Sequence, residues 1–178
     1  MAASAVVMVV LGAECTGKTT LAAAVRAELV AQGCDAVVVW EYLREFCAAH
    51  GRTPQAGEQS GIAREQTRRI AAAANNHAIV IADTSALMTA IYSDLYFGDT
   101  SLYASALVAH RHCAATVLTG LDPPWQADGI QRAGRESRIA VDARIRAALS
   151  RSQTPYRVVR GSVGERVQAA LAALRPAP

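Results

Sequence analysis

A glycine-rich loop near the amino terminus constrains the fold of this chain more than any other feature. Residues 12–19, GAECTGKT, match the pattern G-x-x-x-x-G-K-[ST]. An apolar run, AVVMVVLG, precedes the loop at 5–12, and a helical pattern follows over about 18–32. Glycines let backbone N–H groups turn inward around phosphate oxygens, and the helix adds the positive end of its dipole. Strand, loop and helix together predict a phosphate loop that binds a nucleotide.

Two side chains of this loop have roles of their own. Lys18 is the only lysine in a chain that has 18 lysine and arginine residues together. A compact ammonium fits inside a ring of amides and bridges the outer phosphates, whereas a guanidinium is larger and favours two acceptors in its plane. Thr19 offers a hydroxyl to Mg²⁺. We expect ATP to be bound by Gly12, Glu14, Cys15, Thr16, Gly17, Lys18, Thr19 and Thr20.

Apolar, β-branched runs alternate with helical patterns along the whole chain. Strands are predicted at 5–12, 35–40, 78–83, 115–120 and 156–160, and helices at about 18–32, 41–50, 56–76, 84–97, 101–112, 135–151 and 164–175. This alternation predicts an α/β, three-layer phosphate-loop NTPase fold with a five-stranded parallel sheet, like that of nucleoside and nucleotide kinases. We expect one kinase domain over 1–178, with its ligands at the carboxyl ends of the strands.

Composition narrows the expected partners. The net charge of +3 suits a protein that handles small anions and gives weak support for binding nucleic acid. The four cysteines form no C-x-x-C pair, which favours reduced thiols and a cytoplasmic location. No apolar run reaches the roughly 18 residues that a membrane span needs. We expect a small-molecule substrate, with no nucleic acid or membrane partner. The sequence leaves the possibility of a homo-oligomer open.

Polar and aromatic residues follow the predicted strands where chemistry is expected. Asp83 ends the third strand, where phosphate-loop enzymes hold Mg²⁺; the alternative is a cap on the next helix. Glu41 follows the second strand and is placed to accept a proton from an attacking hydroxyl, or simply to pair with Arg44 in the first helical turn. Asp83 is the competing candidate for the base. Trp40 is either a wall of the acceptor pocket or part of the core.

A lid is predicted over about 122–138, after the fourth strand. Pro123 and Pro124 stiffen its start, and Arg132, Arg135 and Arg138 follow within seven residues. Arginines on a closing segment neutralise charge as a phosphoryl group moves, with Arg132 or Arg135 as the catalytic candidate; the alternative is a solvated basic helix. The run at 119–122 lacks the lysine of a guanine-reading N-K-x-D, which argues against a GTPase.

These motifs together resemble the ribosylnicotinamide kinase domain of the bacterial NAD-biosynthesis regulator NadR. The match includes the phosphate loop, a W-E-Y-x-R-E block at 40–45 and a P-W-x-A-D-G block at 124–129. The spacing after the third strand also matches, through Asp83, Thr84, Thr89, Tyr96 and Gly98. The two longer blocks are more specific than the loop, and the resemblance covers nearly the whole chain.

The resemblance implies transfer of the ATP γ-phosphoryl group to the 5′-hydroxyl of nicotinamide riboside, with Mg²⁺. It also implies that the substrate contacts Trp40, Glu41, Tyr42, Arg44, Asp83, Trp125 and Asp128. In this family the pyridinium ring lies between two aromatic side chains, and Trp40 matches one of them. The stretch REQTRRI (64–70) has no aromatic residue where the family places a tyrosine, and Gln131 takes the place of the family's D-G-x-R arginine, with Arg132 next.

We therefore expect a standalone cytoplasmic kinase of nicotinamide riboside that uses ATP and Mg²⁺. Two alternatives stay open. One is a phosphate-loop kinase of another nucleoside or small alcohol, which the missing second aromatic residue favours. The other is a regulatory module that binds ATP and transfers nothing.

Overall fold

The computed structural model describes residues 5–124 and 135–174, with only the backbone of Arg135. Within them lie five parallel strands: β1 Val6–Leu11, β2 Ala36–Val39, β3 Ile79–Asp83, β4 Ala115–Thr119 and β5 Arg157–Val159. Each differs from its predicted bounds by two residues or fewer in total. The continuous apolar runs of β1 and β4 are buried along nearly their full length, as expected for central strands of a parallel sheet.

Seven α-helices connect and cover these strands in the described residues. They are α1 Lys18–Ala31, α2 Tyr42–His50, α3 Gln59–Ala74, α4 Ala86–Phe97, α5 Tyr103–His110, α6 Arg135–Arg151 and α7 Val163–Leu174. The helical pattern predicted over 56–76 divides into a 3-10 turn, Ala56–Glu58, and α3. A capping box begins the 3-10 turn, where the Gln55 N–H donates to Glu58 Oε2 over 2.7 Å.

The strand order is β2-β3-β1-β4-β5, and every pair is parallel. The chain places β3 and β4 on opposite sides of β1, so a crevice opens at the carboxyl end of β1. The register pairs Val10 of β1 with Asp83 of β3. The phosphate loop, Glu41, Asp83 and the segment after β4 therefore start from one edge of the sheet.

Two apolar layers enclose the sheet. On one face, alternate β1 residues such as Val9 and Leu11 pack with α2 to α6, and Leu87 and Ile145 are fully buried in that layer. On the other face, Met8 and Val10 pack with α1 and α7. Successive side chains of a strand point to opposite faces, which explains the division. The result is the predicted three-layer α/β architecture with a five-stranded parallel sheet.

Candidate active site

The phosphate loop rests on the end of β4. A Cβ at Gly12 would collide with the Thr119 hydroxyl, so this position has room only for glycine. Thr16 is fully buried; its hydroxyl donates to the Ala13 carbonyl over 2.7 Å and lies 2.6 Å from Thr119 Oγ1. Thr119 Oγ1 also lies 3.2 Å from the Leu11 carbonyl. These hydroxyl contacts hold the phosphate loop against the end of β4.

The lysine of the loop lies inside it. Lys18 is 6% exposed, and its Nζ donates to the Ala13 carbonyl over 2.8 Å. A buried ammonium held by a loop carbonyl fits the compact charge that the sequence predicts at this position. Gly17, directly before it, has φ 82°, a left-handed conformation that glycine adopts without strain.

A cavity of about 640 Å³ opens over the loop. Its floor is the loop and the first turn of α1, and its walls come from α2, the residues after β4 and the β5–α7 turn. The residues that line it are 15–21, Arg44, Pro123, Pro124, 161–163 and Arg166. Most of the residues predicted to bind ATP therefore surround one cavity that is large enough for a nucleotide.

Thr19 and Asp83 meet where a metal ion is predicted. The Thr19 hydroxyl donates to Asp83 Oδ2 over 2.6 Å. Asp83 is 1% exposed, and its other oxygen, Oδ1, has no partner among the described residues. A buried carboxylate oxygen without a donor, next to a hydroxyl, is a hard-oxygen set that fits Mg²⁺. The capping alternative for Asp83 is wrong, because Ser85 caps α4 by accepting from the Leu87 N–H.

Glu41 is buried at the start of α2. It is 7% exposed, and its Oε2 accepts from Arg44 Nε over 3.2 Å, so the predicted pairing with Arg44 is present. Burial raises the pKa of Glu41, and the nearby Asp83 adds to the rise while Lys18 and Arg44 oppose it. Glu41 follows β2 at the same edge of the sheet as Asp83, and its partner Arg44 lines the cavity. A raised pKa makes this carboxylate a stronger base than an exposed glutamate, as proton transfer from a hydroxyl requires.

A second carboxylate, Glu14, projects from the phosphate loop. Burial raises its pKa, although Lys18 and a hydrogen bond with Tyr96 of α4 act in the opposite direction. Its Oε2 is buried and has no partner among the described residues. Burial, together with the negative charges of Glu41 and Glu14, raises the pKa of Tyr92 well above its usual value. The Glu14 and Glu41 carboxyl groups therefore both lie on the side of the site next to α4.

The residues of the W-E-Y-x-R-E block take different positions. Trp40 is 46% exposed, so the core alternative for it is wrong. The Arg69 guanidinium of α3 lies over the Tyr42 ring, with 4.5 Å between the guanidinium carbon and the ring centroid. Arg44 pairs with Glu41 and lines the cavity. The contacts of these residues with a substrate stay predictions.

Much of the predicted lid lies outside the described residues, including Trp125, Asp128 and Arg132, and nothing is described of the Arg135 side chain. The last residues of the predicted lid, 135–138, belong to the first turn of α6. Arg138 is 4% exposed and donates to the Pro123 carbonyl over 2.9 Å, so it anchors the residues that line the cavity. A solvated position is therefore wrong for Arg138.

The sequence patterns did not predict three polar residues of the site. Gln66 of α3 is 2% exposed; it accepts from the Tyr42 N–H over 2.8 Å and donates to the Thr84 carbonyl over 3.4 Å. It thus connects the residues that follow Glu41 and Asp83. Thr119 supports the loop, and Arg166 contacts it from α7. Gln66 lies in the REQTRRI stretch, but only its burial distinguishes it from the polar residues beside it.

Thr84 has φ 74°, which is unusual for a β-branched residue. Its N–H donates to the Val10 carbonyl over 3.1 Å, and its own carbonyl accepts from Gln66. Two hydrogen bonds thus hold a strained backbone directly after Asp83. Strain of this kind occurs where the surrounding structure fixes a functional group.

Fold and site together define a phosphate-loop protein of the nucleoside- and nucleotide-kinase type. A family model described as an AAA domain matches residues 7–166. The chain belongs to this AAA-domain family. A search of the curated proteins found no significant match.

Solved structures support the same fold. A crystal structure of NadR in complex with NR matches with a TM-score of 0.74 and 20% identity, covering 96% of this chain and 52% of that chain. A structure of NadR in complex with NAD and AMP-PNP has a TM-score of 0.73 and 18% identity, covering 96% and 49%. Thymidylate kinase from Ehrlichia chaffeensis has a TM-score of 0.70 and 13% identity, covering 97% and 100%.

This chain spans about half the length of the NadR structures that it matches. The resemblance to NadR that the sequence motifs indicate is confirmed as a likeness of fold. The kinase-like phosphate-loop fold is confirmed as well. In the part of the chain that the structure describes, no helix is both long and apolar enough to cross a membrane.

Proposed function

We propose that the protein is an ATP-dependent kinase that phosphorylates the 5′-hydroxyl of nicotinamide riboside and forms nicotinamide mononucleotide. The observation that carries this proposal is the position of Glu41. It is a buried carboxylate of raised pKa, within electrostatic reach of Lys18, and it directly follows an exposed aromatic ring, Trp40. A base beside a phosphate loop, next to a flat ring, suits a nucleoside acceptor. The NadR complex with NR supports the choice of nucleoside.

In the proposed reaction, Lys18 leaves the Ala13 carbonyl and binds the outer phosphates of ATP, together with the loop amides. The acceptor hydroxyl gives its proton to Glu41 while its oxygen forms a bond with the γ-phosphorus. The bond between that phosphorus and the β–γ bridging oxygen breaks, and ADP leaves with both electrons of that bond. Asp83 is the alternative acceptor of the proton. Arg132 or Arg135 would neutralise charge as the group moves.

Mg²⁺ would be held by Thr19 and Asp83. When bound, it would neutralise charge on the β- and γ-phosphates. The free Oδ1 of Asp83 and the adjacent Thr19 hydroxyl support this position. The protein itself holds the Asp83 carboxylate in place, because Gln66 binds the backbone of the strained residue Thr84, which directly follows Asp83.

The charge of the acceptor side favours a cationic base. Glu14, Glu41 and Asp83 all lie close enough to Lys18 or to each other to shift a pKa. A pyridinium ring is positively charged, and it stacks on an exposed indole through cation–π attraction worth about 1 kcal/mol. Trp40, Tyr42, Arg44, Trp125 and Asp128 are the proposed contacts of the nucleoside.

One observation favours a second candidate, a kinase of a different nucleoside or small alcohol. The REQTRRI stretch offers no second aromatic ring. Its Gln66 accepts a hydrogen bond from the Tyr42 N–H, and its Arg69 lies over the Tyr42 ring. A ring held on one face discriminates less between bases. A regulatory module that only binds ATP is the weaker alternative, because it needs no buried base.

ADP release over a panel of nucleosides tests the proposal. We expect nicotinamide riboside to give the highest kcat/KM, and Trp40→Phe to retain more of it than Trp40→Ala. The discrimination against uridine and adenosine should shrink in Trp40→Ala. Turnover of another nucleoside with none for nicotinamide riboside would overturn the substrate and keep the reaction class. Hydrolysis of ATP that no acceptor accelerates would favour the regulatory module.

A cytoplasmic location and a single kinase domain over 1–178 remain part of the proposal. The proposed place of the enzyme is in NAD biosynthesis, where it would supply nicotinamide mononucleotide. The proposal requires only small-molecule partners.

A further inference from the structure

Arg166 contacts the phosphate loop at the edge of the cavity and has no part in the proposed transfer. It belongs to α7, and it is 5% exposed. We propose that Arg166 is a positioning residue that turns the Gly17 amide toward the phosphates of the bound nucleotide. The inference rests on the nucleotide-binding part of the proposed function and is independent of the acceptor.

The Arg166 guanidinium connects three separate segments. Its Nη1 donates to the Thr16 carbonyl over 2.6 Å, its Nε to the Gly161 carbonyl over 2.9 Å and its Nη2 to Asp122 Oδ2 over 2.8 Å. These segments are the phosphate loop, the β5–α7 turn and the start of the loop after β4. A guanidinium has its donors in one fixed plane, so a single side chain reaches all three acceptors. A lysine ammonium cannot span them.

The bond to Thr16 determines where the next amide points. The Thr16 carbonyl and the Gly17 N–H belong to the same peptide, and the described residues have no cis peptide bonds. In a trans peptide the C=O and N–H groups point in opposite directions. Because Arg166 holds the carbonyl on its own side, it directs the Gly17 N–H to the other side. Inward amides of this loop bind the α- and β-phosphates.

Gly17 makes this restraint necessary. Its φ of 82° is one of several conformations open to glycine, so the chain alone does not fix the peptide before it. A buried side chain that binds the Thr16 carbonyl removes the freedom of that peptide to rotate. The loop is therefore ordered before the nucleotide arrives, and less conformational entropy is lost on binding.

Asp122 balances the charge of Arg166. Hydrogen bonds from the Gly161 N–H and from Arg166 hold the pKa of Asp122 below its usual range, although burial acts in the opposite direction. The Gly161 N–H lies 2.9 Å from the same Oδ2. Asp122 thus stays ionised and fixes the guanidinium plane. Pro123 and Pro124, which line the cavity, follow Asp122 directly, so the loop and the cavity wall share one anchor.

The test is the affinity of Arg166→Lys for ADP and for AMP, measured by competition with a fluorescent ADP analogue. We expect the Kd of ADP to rise about tenfold or more, the size of one lost hydrogen bond to a charged group, and the Kd of AMP to change less than about twofold. ADP offers the loop amides an α- and a β-phosphate, whereas AMP offers only the α-phosphate, so a misdirected amide costs ADP more of its affinity. Equal losses for both ligands, or no loss for either, would overturn the inference.

Arg26→Lys is the matched control. Arg26 lies on α1, the helix that follows the phosphate loop. Its Nε also donates to a backbone carbonyl, that of Ala36, over 3.3 Å. The same substitution there should leave the ratio of ADP to AMP affinity unchanged. A change in the ratio equal to that of Arg166→Lys would show an effect of α1 stability and would contradict the inference.

Asp122→Asn provides a second route if Arg166→Lys folds poorly. The amide keeps one acceptor and loses the charge, so we expect a smaller loss of ADP affinity in the same direction. In the double variant the two losses should fall well short of their sum, since both act through one anchor. Full additivity would contradict the shared anchor. Tight ADP binding without phosphorylation of nicotinamide riboside would overturn the proposed substrate only.

Discussion

At position 18 the positive charge must also be compact. Lys18 is buried in a loop whose carbonyl at Ala13 lies 2.8 Å from Nζ, and every other basic side chain apart from histidine is an arginine. We expect Lys18→Arg to lose most of the kinase activity, at least about a hundredfold in kcat, because the planar fork does not fit inside the ring of amides. Steady-state kinetics with saturating acceptor measure the loss.

Lys18→Met is the control for this prediction. It removes the charge but fills a similar volume, and it should lose activity at least as severely. A Lys18→Arg enzyme with near-normal activity, beside an inactive Lys18→Met, would mean that charge alone suffices and that the loop is wider than the structure indicates.

Glu41 and Asp83 are both buried carboxylates, and their roles can be separated. We expect Glu41→Gln to bind ATP normally and to lose most of its kcat, whereas Asp83→Asn should also lose the Mg²⁺-dependent part of its ATP affinity. Isothermal titration of ATP with and without Mg²⁺ gives the affinities. The reverse pattern would assign the base to Asp83.

The pH profile gives a second test of Glu41. A base acts only when deprotonated, and the pKa of Glu41 is raised by burial from 4.5. The acid limb of kcat/KM in the wild-type enzyme should therefore inflect at a pH above 4.5, and activity should fall as the pH drops through that raised pKa. Glu41→Gln should abolish this inflection. An acid limb unchanged in Glu41→Gln would exclude Glu41 as the titrating group.

Among the elements, α3 connects the ends of β2 and β3. Gln66 has one hydrogen bond to the backbone after each strand, at Tyr42 and Thr84. We expect Gln66→Leu, which keeps the volume and removes both bonds, to reduce kcat about tenfold and to leave ATP affinity within about twofold. Steady-state kinetics and ATP titration measure both. The loop and Lys18, which are the proposed phosphate contacts, are untouched by this change.

Gln168→Leu is the surface control for Gln66→Leu, because Gln168 is exposed on α7. It should leave both kcat and ATP affinity unchanged. A Gln66→Leu enzyme that keeps its full kcat would show that the two carboxylates do not depend on α3 for their positions.

The elements themselves were largely predictable, and the polar links between them were not. Buried parallel strands have continuous apolar sequences, and Gly33 and Gly51 follow the ends of α1 and α2. The boundaries of these strands and helices could therefore be predicted from the local sequence. The bond between Thr16 and Thr119 spans 103 residues, and that between Arg166 and Thr16 spans 150. Such pairs leave no periodic pattern. The W-E-Y-x-R-E block, by contrast, was recognisable because its residues are consecutive.

At the scale of the whole molecule, a buried histidine couples stability to pH. His110 lies 2.9 Å from Thr116 Oγ1 and 3.4 Å from Ser85 Oγ, and burial lowers its pKa to about 4. Between an unfolded pKa of 6.5 and this value, only the unfolded chain binds the proton, so stability falls as pH falls. We expect a loss of about 2 kcal/mol from this group between pH 7 and pH 5.

Urea unfolding at the two pH values measures this loss. His110→Gln should reduce the difference in free energy of unfolding between pH 7 and pH 5 by about that amount, whatever its own stability. His112→Gln, at an exposed position, should leave the difference unchanged. An undiminished difference in His110→Gln would mean that other groups cause the pH dependence.

We propose that this fold transfers a phosphoryl group to a nucleoside hydroxyl. Phosphorus NMR of the product formed from ATP and nicotinamide riboside tests it most directly, because coupling to the 5′-methylene protons identifies the phosphorylated oxygen. We predict a new monoester signal with that coupling, formed in step with ADP and absent in Glu41→Gln. Release of inorganic phosphate at the same rate with and without the nucleoside, and no monoester signal, would contradict the account.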